Sequence, residues 1–134
     1  MKQPLLNARR WLRQAEYDLE QAKKSAADGS YAYAAFFSEQ AAQKALKAFL
    51  FKSGRRVVTI HSVAELAREA GKVEKGFESL VGKGAGLDRH YLASRYPDAL
   101  PEPAMPFESY TKEDAEEALR AAQDIFETAR KFIP

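Results

Sequence analysis

Between Tyr31 and Lys52 the chain runs for 22 residues without a glycine or proline and with seven alanines. Such a stretch constrains the fold more than any other feature, because it predicts one long helix that other helices must cover. At about 100° per residue, Tyr31, Ala35, Ser38, Ala42, Ala45 and Phe49 fall on one side as a mostly small seam. Phe37, Ala41 and Ala48 widen the apolar surface round one flank. A seam of alanines lets a neighbouring helix come close. Glu39, Gln40, Gln43, Lys44 and Lys47 share the remaining arc, whose simplest reading is a solvated strip. Tyr33, Phe36, Leu50 and Phe51 add more apolar surface than two neighbours need to cover, which predicts a two-fold homodimer through helix surfaces.

The rest of the chain supplies the neighbours. A first helix is expected from Ala8 to Ala27, with Asn7 as N-cap and Pro4 outside it, burying Trp11, Leu12, Ala15, Leu19, Ala22 and Ala26. Asp28-Gly29-Ser30 supplies a glycine for a positive φ and a serine to cap the next helix, so the two helices should be antiparallel. After Ser53-Gly54, the short run Val57 to Ile60 reads as an extended connection. Ser62 and Glu65 have capping-box spacing, which starts a short third helix ending near Gly71. Gly76, Gly82, Gly84 and Gly86 predict a broken helix that re-forms near Leu87 to Ala93. Pro97, Pro101, Pro103 and Pro106 make residues 98–109 a stiff surface loop. Thr111 and Asp114 open a last helix with a clean stripe: Ala115, Ala118, Leu119, Ala122, Ile125, Phe126, Ala129 and Phe132. The sum is all-α, an up-and-down antiparallel bundle of four main helices plus a short fifth, in a single domain over residues 1–134.

Composition narrows the function. With no cysteine, thiolate metal sites and disulfides are excluded, and two histidines without a carboxylate cluster at ligand spacing predict neither a metal site nor a cofactor. No window approaches the roughly 20 apolar residues of a membrane span, so a cytoplasmic protein without membrane contact is expected. Net charge is only +2, yet Lys44 to Arg56 holds five bases and no acid. That run reads either as a helix end whose cations the helix dipole favours, or as a phosphate-facing patch. Phosphate loops, dinucleotide turns, zinc-protease helices and nucleophile elbows are absent from the sequence.

Three groupings are candidates for chemistry, one of them Glu39, Gln40, Gln43 and Lys44 on the polar strip of the long helix. Arg55 and Arg56 precede His61 by six and five residues, which suits holding a phosphate beside a proton-transferring imidazole, with His61 as the catalytic candidate; alternatively, His61 packs at the start of the third helix. Tyr91, Arg95, Tyr96 and Asp98 place a guanidinium between stacking faces before a proline turn. They either bind a nucleotide, approached by Gln40 and Lys44, or tie Arg95 to Asp98 and fix the turn.

Taken together, WLRQAEYDLEQA, YAYAAFFSEQAAQKALKAFL, the histidine before AEL, and HYLASRYPDA resemble the HEPN domain, the "higher eukaryotes and prokaryotes nucleotide-binding" bundle, over nearly the whole chain. Gln40 to Ala45 is similar to the family's Q-A-A-E-K-A, with Gln43 where Glu is usual, and Ser94 to Asp98 to its T/A-R-Y-P-D. The resemblance implies a helical bundle, commonly dimeric, linked to nucleotide or RNA binding and often encoded beside a minimal nucleotidyltransferase. Many relatives are RNA-cleaving toxins with an arginine four to six residues before a histidine, late in the chain. Here that spacing occurs only from Arg55 or Arg56 to His61, before the third helix. The expected function is therefore nucleotide or RNA binding alongside a nucleotidyltransferase in a toxin–antitoxin-like system. The alternatives are a metal-independent endoribonuclease toxin using His61 and a ligand-free dimeric scaffold.

Overall fold

The computed structural model describes residues 3–134. Helix α1 spans Pro4–Ala27, four residues longer at its start than the pattern predicts. A proline at the first helical position loses no hydrogen bond, since the first amides of a helix lack partners in any case. Gln3, not Asn7, is the N-cap, its carbonyl accepting from the Asn7 amide at 3.0 Å, and Asn7 is buried inside the first turn. Gly29 then takes φ +86°, and Asp28 Oδ1 accepts from the Ser30 amide at 3.0 Å. The aspartate, not the serine hydroxyl, therefore fixes the turn into α2, Tyr31–Lys52.

α2 is buried on nearly every side from Ala41 to Phe51. Leu50 and Phe51, expected to project toward a second molecule, are instead covered within this one, with Phe51 meeting Trp11 of α1 at 5.4 Å between ring centres. The neighbours outnumber the two assumed from the helix wheel, because α1, α3 (Val63–Val73), the broken segment after it and α7 (Lys112–Arg130) all pack on α2 or on one another around it. Helices α1, α2, α3 and α7 are the four main ones of the bundle. A 3-10 turn over Lys75–Leu80, α4 (Val81–Asp88) and α5 (His90–Ala93) form the broken fifth element, and α6 (Pro106–Ser109) is a single turn within the proline-rich loop.

The core is a continuous cluster through Leu19, Leu46, Leu66, Leu87, Ile125 and Phe126. Phe49, Phe77 and Phe132 lie within 4.4–5.7 Å of one another and join α2, the 3-10 turn and the end of the chain. α7 opens with a full capping box between Thr111 and Asp114, as its sequence predicts.

The start of α3 departs from expectation. Ser62 Oγ accepts from the Glu65 amide at 3.2 Å, but the Glu65 carboxylate pairs with Arg68. The remaining amides are met from a distance: Asp88, the last residue of α4, accepts from Val63 N at 2.6 Å, Ala64 N at 3.2 Å and Ser62 Oγ at 2.7 Å. Gly84 permits this approach, since a Cβ there would stand 2.8 Å from Ala64 N and 2.9 Å from Val63 C.

Candidate functional site

The polar strip of α2 is not a solvated face. Glu39 is 1% exposed, Lys47 5% and Gln43 6%, so three polar side chains at i, i+4 and i+8 enter the interior together. A buried polar group is stable only when hydrogen-bonded, and each of these is. Glu39 accepts from Gln40 Nε2 at 2.8 Å and Gln43 Nε2 at 2.9 Å. Burial pushes its pKa above the usual carboxylate value; the two amide bonds oppose that shift, as does the Arg95 charge, while Asp88 reinforces it. With its amide nitrogen held by Glu39, Gln43 turns its carbonyl oxygen to His61 Nδ1, 3.3 Å away. Lys47 Nζ lies 3.4 Å from the same ring nitrogen and 5.7 Å from the Trp11 ring centre. Burial pulls the Lys47 pKa down, and Glu39 offsets part of the shift. The His61 ring itself is exposed.

On the α1 side, Lys44 Nζ is 2.6 Å from Asp18 Oδ2, and Gln14 donates to the other Asp18 oxygen. Arg10, Trp11, Arg13, Tyr17 and Lys44 line a shallow groove of about 670 Å³ there.

At the end of α5 the chain leaves the helix ahead of Pro97, as that proline requires. Arg95 turns back so that Nε and Nη2 donate to the Tyr91 carbonyl at 3.0 and 2.8 Å, and Nη1 reaches the Tyr96 hydroxyl at 3.4 Å. Its Cζ stands 4.3 Å from the Phe36 ring centre, 4.8 Å from Tyr96 and 4.9 Å from Tyr91. Three rings thus frame a guanidinium that keeps one N–H on each terminal nitrogen for an outside acceptor. Because Phe36, one wall of the arginine frame, lies one turn of α2 before Glu39 and Gln40, the buried strip and the arginine frame adjoin.

Of the residues singled out in the sequence, Tyr91, Arg95 and Tyr96 are brought together here, and Gln40 and His61 are joined through Glu39 and Gln43. Lys44 faces Asp18. Asp98 is exposed on a 3-10 turn, Pro97–Ala99, and the hydrogen bonds of Arg95 go to Tyr91 and Tyr96 rather than to it. Arg55 pairs with Glu69 at 2.6 Å, and Arg56 lines a separate cavity of about 430 Å³ with Pro4, Phe51 and Val57. The two arginines are therefore not gathered with His61 into one cluster.

Sequence reasoning missed Phe36 as a member of the site and Asp88 as the cap beside it, and it read Glu39 as part of a solvated strip where the fold buries it. The available signal was the i, i+4, i+8 run of Glu39, Gln43 and Lys47 in a helix whose other residues are mostly apolar. It also left His90 unassigned. That ring bonds Tyr110 Oη at 2.8 Å beside a cavity of about 460 Å³ between α4 and α7, and burial, helped by Arg89, lowers its pKa.

The sequence profile of the HEPN domain matches residues 8–132. The chain belongs to the HEPN family. Among curated proteins this HEPN chain is similar to the candidate toxin MJ1304 of Methanocaldococcus jannaschii, 34% identical over 134 residues, which cover 94% of this chain and 88% of that one. Among solved structures it is similar to TT1696 from Thermus thermophilus, with a TM-score of 0.88 at 37% identity over 94% of this chain and 98% of that one. The archaeal HEPN homologue ST0689 superposes with a TM-score of 0.78 at 33% identity over the full length of both chains. A HEPN domain protein of Thermotoga maritima, TM0613, gives 0.70 at 30% identity over 91% of this chain and 95% of that one. No helix among the described residues of this HEPN protein is long and apolar enough to cross a membrane.

Proposed function

We propose that this HEPN protein is the toxin-like member of a toxin–antitoxin-like pair, of the subgroup with a C-terminal Arg-Tyr-Pro-Asp motif. In this reading it acts in the cytoplasm, binds a nucleotide or an RNA strand, and has a minimal nucleotidyltransferase as its partner. The naming of MJ1304 supports the toxin-like part.

One observation carries the binding part: a guanidinium held in an aromatic frame, with two N–H groups left over, one turn of α2 from a buried polar network. A planar fork fixed in advance meets a phosphate in bidentate fashion without first losing side-chain freedom. Tyr91 and Tyr96, 40% and 50% exposed, offer faces on which a base stacks. The groove along α1, with Arg10 and Arg13 beside Trp11 and Tyr17, has the mixture of cations and rings that follows a strand.

Calorimetric titration with a nucleoside triphosphate and with a short single-stranded RNA tests this reading against wild type and Arg95→Lys. Lysine keeps the charge and loses the fork, so binding should weaken by at least about tenfold, roughly 1.4 kcal/mol. Melting should also fall, by about 1 kcal/mol, because two hydrogen bonds to Tyr91 and part of the stacking go with the guanidinium. A drop in melting with unchanged binding would leave Arg95 as a clamp on the turn, and no binding by wild type to either ligand would favour the scaffold reading.

A further inference from the structure

The groups around His61 Nδ1 satisfy one another in only one arrangement at a time. In a neutral ring that nitrogen carries either a lone pair or a hydrogen. With a lone pair it accepts from Lys47 Nζ, 3.4 Å away; with a hydrogen it donates to Gln43 Oε1, 3.3 Å away. Gln43 cannot reverse its amide to relieve the choice, because its nitrogen is held at 2.9 Å by the buried Glu39 carboxylate. The two arrangements differ in what they leave without a partner. His61 Nδ1 is the acceptor the fold gives to the buried Lys47 ammonium, so a hydrogen on Nδ1 strands a buried cation. A lone pair on Nδ1 leaves only a neutral amide oxygen without a donor, and that omission is much less costly.

We infer that Lys47 sets the tautomer of His61, keeping Nδ1 as an acceptor so that Nε2 carries the hydrogen and is the ring atom left to meet ligand as a hydrogen-bond donor. The atom His61 offers is then an N–H, matched to the oxygen of a phosphate ester or of an oxyanion that develops during reaction, and not a base. Lys47 is a positioning residue that acts through the ring. Gln43 is the reserve partner, which takes over Nδ1 once the ammonium is gone. A glutamate at position 43 would place an anion against Nδ1 and bind its hydrogen firmly, so the glutamine is what leaves the choice to Lys47.

The identity of the ligand rests on the function proposed above, but the tautomer does not, and the test uses protein without ligand. Long-range proton–nitrogen correlation spectra at about pH 8.5, well above the usual histidine pKa, distinguish a hydrogen on Nε2 from one on Nδ1. The His61 signals are identified by their loss in His61→Asn. Wild type should show the hydrogen on Nε2, Lys47→Met should transfer it to Nδ1, and Gln43→Leu should leave it on Nε2. A wild-type ring with its hydrogen on Nδ1 overturns the inference whatever the variants do. So does a Lys47→Met ring identical to wild type, or a Gln43→Leu ring whose hydrogen has moved to Nδ1.

Discussion

Glu39 is the residue whose presence most needs a reason, since a buried carboxylate on the central helix works against stability at neutral pH. Its folded pKa lies above the usual 4.5, so the folded protein holds the proton more tightly than the unfolded chain does. The stabilisation from that proton is complete below the unfolded value and is lost as pH rises through the folded one. Glu39→Gln keeps the volume and removes the titration. The melting temperature of wild type relative to Glu39→Gln is therefore expected to fall as pH climbs from about 4.5 toward neutrality, in paired calorimetric scans. A difference that stays flat over that window would mean that the carboxyl is not desolvated as its burial indicates. Glu69 shifts the opposite way, through its hydrogen bonds from Lys72 and Arg55, but it is common to both proteins and cancels in the comparison.

At the level of elements, the glycines of α4 separate two uses of one residue type. Gly84 sits where a Cβ would run into the backbone of Val63 and Ala64, whereas Gly82 faces open space. Gly84→Ala should cost about 2–3 kcal/mol despite its better helix propensity. Gly82→Ala, gaining propensity with nothing to strike, should add about 0.5–1 kcal/mol. Thermal melts of the two variants check the signs; equal shifts would contradict the close packing of α3 on α4. In the sequence these glycines look alike, as breakers of one weak helix. Periodicity and caps made most of the helices legible, because local pattern sets where a helix can begin and which face is apolar: α2 and α7 begin where their residues say, and Gly29 turns the chain as expected. Illegible were features that depend on partners distant in sequence. Asp88 caps a helix 25 residues earlier, Glu39 and Lys47 are buried only because α2 has more neighbours than a helix wheel shows, and Phe36 faces Arg95 across 59 residues. The arginine and its two tyrosines could be read because they are neighbours in the chain. The separation of Arg55 from His61 could not, since it depends on Glu69 lying within reach.

For the molecule as a whole, assembly is the property that the fold most changes relative to the sequence. With Leu50 and Phe51 inside, Tyr33, Met105 and Phe107 remain exposed round a cavity of about 260 Å³ that Arg95 and Pro97 also line. A dimer formed through this patch would bury Phe107, 74% exposed and its most accessible member. Light scattering at about 0.1 mM, well above an ordinary dimer Kd, should then give twice the chain mass for wild type and the single mass for Phe107→Asp, with melting little changed at high dilution. A monomeric wild type at that concentration would remove the dimer.

The clasp of Asp88 on the start of α3 bears on how the bundle comes apart. α3 has 11 residues and α4 has eight, three of them glycine, so neither is long enough to persist alone in water. Joined by the carboxylate at one end and the Gly84 contact beside it, they form a loop closed on itself, whose halves are lost or kept together. Fraying at the N-terminus of α3, where a helix ordinarily loosens first, is therefore opposed by three hydrogen bonds to one carboxylate. His61 adjoins the clasp through Ser62, so the same carboxylate that holds the start of α3 also anchors the chain that presents the imidazole to Gln43 and Lys47.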